Sequence, residues 1–243
     1  MSKTGKPDYG YDAPYALCAF AGLGVLATGG AVAALVSRRA AAAVWLTLYG
    51  AFFLANAFVF LHTTRRGKFS VWQAILDDLK LNGRERVLDM GCGRGAVLVA
   101  VARRLTTGRA TGVDVWSAHD QSGNAPDVTL ANARVEGVQG RLDISTADMR
   151  TLPFAEATFD VVVSSLAIHN IRRNSDRAVA VAEAWRVLKP GGRLAIADIR
   201  ATRLYSKTLR ELGATGVSRH RLGWRFWWGN PFASTTLLTA SKP

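Results

Sequence analysis

From Ala13 to Ser37 the chain carries no charged side chain, and from Ala40 to Thr64 the one side chain able to gain charge near neutral pH is His62. Each stretch is 25 residues long, about 37 Å as a helix at 1.5 Å per residue. A bilayer core needs about 20 apolar residues, so both stretches are long enough to span it with some tilt. A buried hairpin of a soluble protein would keep a polar stripe, and neither stretch has one. A cleaved signal peptide has a shorter apolar run and is not followed directly by a second. The expectation is a polar tail over residues 1–12 and a transmembrane helical hairpin over residues 13–64. Small residues four apart, Gly29 with Ala33 and Gly30 with Ala34, would let helices pack closely, within the hairpin or in a homo-oligomer.

Ser37-Arg38-Arg39 is the whole connector, so both ends of the hairpin would emerge on one side. Lys3, Lys6, Arg65, Arg66 and Lys68 lie on that side, against Arg38 and Arg39 at the connector. This bias favours cytoplasmic termini and a multi-pass protein of the cytoplasmic membrane. Two cysteines, Cys18 and Cys92, are too few for a disulfide scaffold or a cysteine-ligated metal cluster, and no metal site is expected.

Beyond a linker and amphipathic helix over residues 65–80, with Phe69, Trp72, Ile75, Leu76 and Leu79 at helical spacing, residues 81–243 alternate strand and helix. Strands are expected near residues 86–90, 110–115, 141–146, 159–166 and 193–199. Helices are expected over residues 96–105, 126–137 and 175–188, the last stopping at Pro190-Gly191-Gly192. This predicts an α/β fold with a Rossmann-like, doubly wound, mostly parallel sheet. Residues 217–228 and 234–241 read as two further strands around Gly229-Asn230-Pro231, a C-terminal antiparallel hairpin.

Gly91-Cys92-Gly93-Arg94-Gly95 lies between the first strand and the next helix, where an open parallel sheet binds ligands. Missing side chains let backbone approach a ligand, and the helix start offers free N–H groups. The loop alone is ambiguous, since Gly91-x-Gly93-x-x-Ala96 with Asp114 downstream also fits a dinucleotide fingerprint and a nicotinamide oxidoreductase. Asp89 weighs against that reading. A carboxylate just before the loop opposes a pyrophosphate but suits a ligand carrying an ammonium group, such as S-adenosylmethionine.

The series Val87-Leu-Asp-Met-Gly-Cys-Gly-Arg-Gly95, Thr111-Gly-Val-Asp114, Ala147-Asp148-Met149 and Leu188-Lys-Pro-Gly-Gly192 resembles, in order and spacing, the motifs of class I S-adenosylmethionine-dependent methyltransferases. The likeness is to the branch containing the ubiquinone/menaquinone-biosynthesis methyltransferases, and it covers residues 69–243. It implies that Asp89, Gly91, Cys92, Gly93 and Gly95 hold the methionine part of the cofactor. It implies also that Asp114 accepts from the ribose hydroxyls, that Val115 and Trp116 lie along the adenine, and that Asp148 and Met149 close the adenine pocket. Ser164, with Ser165 and Leu166, would border the transferred methyl. S-adenosylhomocysteine would be the product.

Methyl transfer needs alignment of a nucleophile, and a base only where that nucleophile must lose a proton. His169, just past the fourth strand, is the candidate general base; a backbone-bonded helix-start histidine is the plain alternative. Asn170 and Asp198 are weaker candidates. Two cysteines argue against arsenite as acceptor. Residues 69–243 hold 24 basic and 16 acidic side chains, but scattered, which fits a surface on anionic lipid better than nucleic acid. Trp224, Phe226, Trp227, Trp228 and Phe232, interleaved with Arg219, Arg221 and Arg225, suit a membrane interface or a lipophilic pocket. The expected acceptor is therefore a lipophilic or membrane-associated small molecule: a quinone, isoprenoid, phenolic or lipid. A membrane-tethered cofactor-binding regulator without turnover is the non-enzymatic alternative.

Overall fold

The computed structural model describes residues 5–117 and 121–243; Lys3, counted in the charge bias, lies outside them. Helices α1 (Pro14–Val36) and α2 (Ala40–His62) form an antiparallel hairpin joined by residues 37–39, with Arg38 in the left-handed region to make the turn. Both are long and apolar enough to cross a membrane. Gly24, Ala31 and Ala34 of α1 are buried, whereas Gly29 and Ala33 face away from the packed side. Leu26, Val36, Trp45, Phe52 and Phe58 are among the large apolar side chains turned outward. Such a continuous apolar surface is rare on a soluble monomer.

No linker separates the hairpin from the rest of the chain. A single π-helical turn, Thr63–Gly67, carries α2 directly into α3 (Lys68–Asp78). Gly67 is required there, because a Cβ would sit 1.9 Å from the Arg225 carbonyl oxygen. The junction is gripped from the C-terminal side. Thr63 Oγ1 donates to Trp227 O at 2.5 Å, Asn230 Nδ2 donates to Asn56 Oδ1 at 2.9 Å, and Trp228 packs edge-on against Phe60.

The sheet contains β1 (Arg86–Met90), β2 (Arg109–Asp114), β3 (Leu142–Thr146), β4 (Phe159–Ser165), β5 (Leu188–Asp198), β6 (Thr215–Arg221) and β7 (Thr236–Ser241). Their order is β3-β2-β1-β4-β5-β7-β6, with β7 antiparallel to both neighbours and the other pairs parallel. Helices α4 (Ala96–Ala102), α5 (Pro126–Val135), α6 (Asn174–Val187) and α7 (Thr202–Glu211) make the crossovers. Two apolar clusters form the core. One lies between the sheet, α3 and α4; the other packs α6 and α7 on the opposite face.

Three boundaries differ from the sequence reading. β5 begins at Leu188 and runs through Pro190-Gly191-Gly192, because Leu188 pairs with Phe159 across a bulge and the Gly191 amide donates to Lys242 O. β6 stops at Arg221, and residues 222–235 leave the strand to dock Phe226 and Trp228 against the end of α2. The third is in the polar tail, of which residues 8–12 lie as a strap across the domain. Asp8 pairs with Arg94 at 2.6 Å, its amide donates to Asn132 Oδ1, and Asp12 pairs with Lys68 at 2.5 Å.

Candidate functional site

The strand order reverses between β1 and β4, and the carboxyl ends of the strands there open into a cleft of about 1540 Å³. That volume exceeds the usual range for one small ligand, roughly 300–1,000 Å³. Asp89, at the end of β1, lines the cleft and is 1% exposed. Neither of its carboxylate oxygens has a hydrogen-bond partner among the described residues. Burial pushes its pKa up to about 8, and the nearby charge of Asp114 adds to the rise; the Leu98 amide opposes it without making a hydrogen bond. A buried acid without a donor is costly unless a cation is to meet it.

The glycine loop follows. Gly91 has φ 75°, and a Cβ on it would lie 2.1 Å from the Ala167 Cβ, so backbone alone fits between β1 and the β4 turn. Cys92 is buried, and its thiol pKa is pushed well up by that burial, with Asp89 and Asp114 adding, so it stays a thiol at neutral pH. Asp114 Oδ2 accepts from the Gly93 amide at 2.8 Å, and Oδ1 accepts from the Trp116 amide at 2.6 Å. Asp114 thus fixes the loop as well as lining the cleft. Val115, Asp148 and Met149 line the same wall. Arg150 holds the Asp148 carboxyl below the usual carboxylate range through hydrogen bonds and charge.

His169 lines the same cleft. Its Nδ1 lies 2.6 Å from Asp198 Oδ1, a short contact not aligned as a hydrogen bond, and its amide donates to Asp198 Oδ2 at 3.1 Å. Asp198 is fully buried and also accepts from the Tyr205 hydroxyl and the Ile199 amide. Burial, then the charge of Asp198, raises the Tyr205 pKa, so its hydroxyl remains a donor. The imidazole is thus fixed from the Nδ1 side, and Nε2 has no partner among the described residues.

The geometry has counterparts. Residues 88–196 match the methyltransferase domain family. Methyltransferase GfsG of Streptomyces halstedii is 36% identical over 127 residues, 52% of this chain and 42% of that protein. The ubiquinone/menaquinone biosynthesis C-methyltransferase UbiE of Rhizobium meliloti is 36% identical over 135 residues, 54% of this chain and 49% of that one. A solved geranyl diphosphate C-methyltransferase from Streptomyces coelicolor A3(2), bound to geranyl diphosphate and S-adenosyl-L-homocysteine, superposes with a TM-score of 0.57 at 17% identity, over 72% of this chain and 79% of its own. Residues 88–196, a little under half of this chain, are similar to methyltransferase domains. The chain spans about half the length of the curated relatives it matches, and the structural likeness bears on the fold alone.

The residues here fit S-adenosylmethionine on two features: the unsatisfied Asp89 carboxylate and the loop that only glycine can form. Asp89, Gly91, Cys92, Gly93, Asp114, Val115, Asp148 and Met149 share one cleft. Three expected residues do not line it. Ser164 turns inward and donates to Met90 O at 2.7 Å, leaving Ser165 and Leu166 at the cleft. Trp116 is held at φ 60° with its indole N–H on Thr146 Oγ1, away from the opening. Gly95 caps α4 from behind, against Thr129.

Sequence reasoning missed the roof. Tyr9, Asp12, Tyr15 and Phe20 from the strap and α1, Phe60 from α2, and Trp72 and Trp228 all line the cleft. Trp72 Nε1 donates to Ser165 Oγ at 2.8 Å, seating α3 over the end of β4. Asp12 joins strap, junction and cleft together: it pairs with Lys68 and accepts from Thr64 Oγ1 and Gln121 Nε2. The clue was Tyr9-Gly10-Tyr11-Asp12, aromatics and an acid placed just before an apolar helix.

Proposed function

We propose that this protein is a membrane-anchored methyltransferase that methylates a lipophilic small molecule, quinone- or isoprenoid-like, drawn from the bilayer. The observation that carries the reading is the composition of the cleft: its lining includes Asp89 and the glycine loop together with Phe20 and Phe60 of the apolar hairpin. A purely soluble acceptor would have no use for a hairpin built into its binding site. The outward apolar side chains of α1 and α2, and the basic bias of the side bearing the domain, support two spans with the domain and both termini cytoplasmic. The names of the UbiE and geranyl diphosphate methyltransferase relatives agree with a lipophilic acceptor.

When bound, S-adenosylmethionine supplies a methyl group on a positively charged sulfur that is already a good leaving group. The chain's own residues do the rest. Asp89 would hold the ammonium group and Asp114 the ribose, and Ser165, Leu166 and Trp72 would exclude water around the acceptor. His169 Nε2 would take the acceptor's proton if the attacking atom carries one, while Asp198 fixes the ring and steadies its positive charge. Much of the acceleration would come from alignment of the acceptor.

The test incubates the full chain, in bilayer nanodiscs, with lipid extract and a cofactor bearing a deuterated methyl group. The expected result is one lipophilic species gaining that methyl. Label found only in water-soluble products would overturn the reading, and its absence from all products would favour a regulator without turnover.

A further inference from the structure

The cleft mouth carries a charge that the catalytic reading leaves unused. Arg172, Arg173 and Arg200 line it as His169 does, and none of their guanidinium groups has an acidic or hydrogen-bonding partner among the described residues. The acids at this rim are already taken: Asp148 and Asp176 both pair with Arg150, at 2.5 and 3.4 Å. Asp198 is engaged by His169 and Tyr205.

The arginine loop is also held in place. Arg177 donates to His169 O and to Ile171 O, each at 2.7 Å, which fixes the turn presenting Arg172 and Arg173 next to the imidazole. Arg200 follows two residues after Asp198, and with Arg177 its charge reaches the Tyr205 hydroxyl. Three unpaired guanidiniums around one opening repel one another. Each is a planar fork suited to phosphate or carboxylate oxygens.

Resting on the proposed function above, we propose that the methyl acceptor is amphipathic and anionic: its phosphate or carboxylate is held by Arg172, Arg173 and Arg200, and its apolar portion lies toward Phe20, Phe60, Trp72 and Trp228. The two ends of the cleft then match the two ends of the molecule, and the reacting atom between them falls beside His169. The anion comes from the acceptor, not from a bilayer lipid.

The full chain in phosphatidylcholine nanodiscs, saturated with S-adenosylhomocysteine, is titrated with octyl phosphate, octanol and inorganic phosphate, and binding is read from tryptophan fluorescence, since Trp72 and Trp228 line the cleft. Octyl phosphate is expected to bind at least about tenfold more tightly than either of the others. The triple variant R172Q/R173Q/R200Q should lose that advantage while holding S-adenosylhomocysteine within about twofold of the parent, because no arginine of the three touches the Asp89 wall. Equal affinity for octyl phosphate and octanol, or an unchanged triple variant, overturns the proposal. Equal affinity for inorganic phosphate overturns the amphipathic match. Octyl phosphate displaced when phosphatidylglycerol is added to the nanodiscs assigns the arginines to bilayer headgroups and overturns it too. A neutral lipid labelled in the deuterium experiment would end this inference and leave the proposed function standing.

Discussion

Cofactor binding should expel a proton from Asp89. Its carboxyl is buried and unpartnered, with a pKa raised to about 8, so about nine-tenths of the free protein carries the proton at pH 7. An ammonium group brought against it favours the charged form, and binding then releases about 0.9 proton at pH 7. Affinity should rise about tenfold per pH unit below pH 7 and level off above pH 8. Calorimetric titration with S-adenosylhomocysteine at pH 7, in buffers of different ionisation enthalpy, measures the proton number as a slope. Asp89→Asn should abolish the slope and weaken binding by about 1.5–3 kcal/mol, roughly 10- to 150-fold.

The same shift has a stability consequence of opposite sense. The folded carboxyl holds its proton from the ordinary value of 3.8 up to about 8, and the unfolded one does not. Stability therefore falls as pH rises through that window, and Asp89→Asn should melt above the parent at pH 8, with the gap closing toward pH 4. The gap is bounded by about 6 kcal/mol. A zero slope at pH 7, with affinity flat between pH 6 and 8 and no gain in melting temperature for the variant, would refute the reasoning.

Three further outcomes are expected. His169→Gln should lower kcat by about 10²–10⁴-fold with little change in S-adenosylhomocysteine affinity; Asp198→Asn should lower it less, and unchanged kcat in both would leave His169 a structural residue. Asp12→Asn removes the partner of the buried Lys68 ammonium and should cost about 3–5 kcal/mol in chemical denaturation; a cost near zero would mean the strap is not held by that pair. Trp228→Ala, which empties the contact between the C-terminal loop and Phe60, should destabilise by about 3–5 kcal/mol and raise KM for a lipophilic acceptor more than it lowers kcat.

The order of strands and helices was legible because each has a strong period: Val-rich strands buried on both faces, and helices with apolar residues three and four apart. That same burial hid the choice between Ser164 and Ser165. Where both faces of a strand are covered, alternation gives no sign of which residue turns toward a ligand. Helix α7 escaped notice because Thr202–Glu211 is mostly polar and buries only a narrow face through Tyr205 and Leu209. The aromatic run before β7 was read as strand because its spacing alternates, yet Trp224–Phe226 is a 3-10 turn whose place is set by contacts with α2, more than 150 residues away in the chain. The Asp89 cradle was readable from local sequence, since the carboxylate and the two cleft glycines, Gly91 and Gly93, lie within one turn. The roof over it was not, because the strap, α2 and residues 222–235 meet only in the fold.

That difference bears on what the hairpin is for. An anchor that merely held an enzyme near a bilayer would need a flexible linker and no contact with the site. Here α2 passes into α3 without a break, and the junction is pinned by Thr63 to the Trp227 carbonyl, Asn56 to Asn230, and Gly67 beneath Arg225. Five residues after Gly67, Trp72 on α3 touches Ser165 at the cleft. At 1.5 Å of rise per residue, the five steps from Gly67 to Trp72 cover about 7.5 Å. The distance between the end of the apolar helix and Ser165 is therefore set by helix geometry, not by loop length.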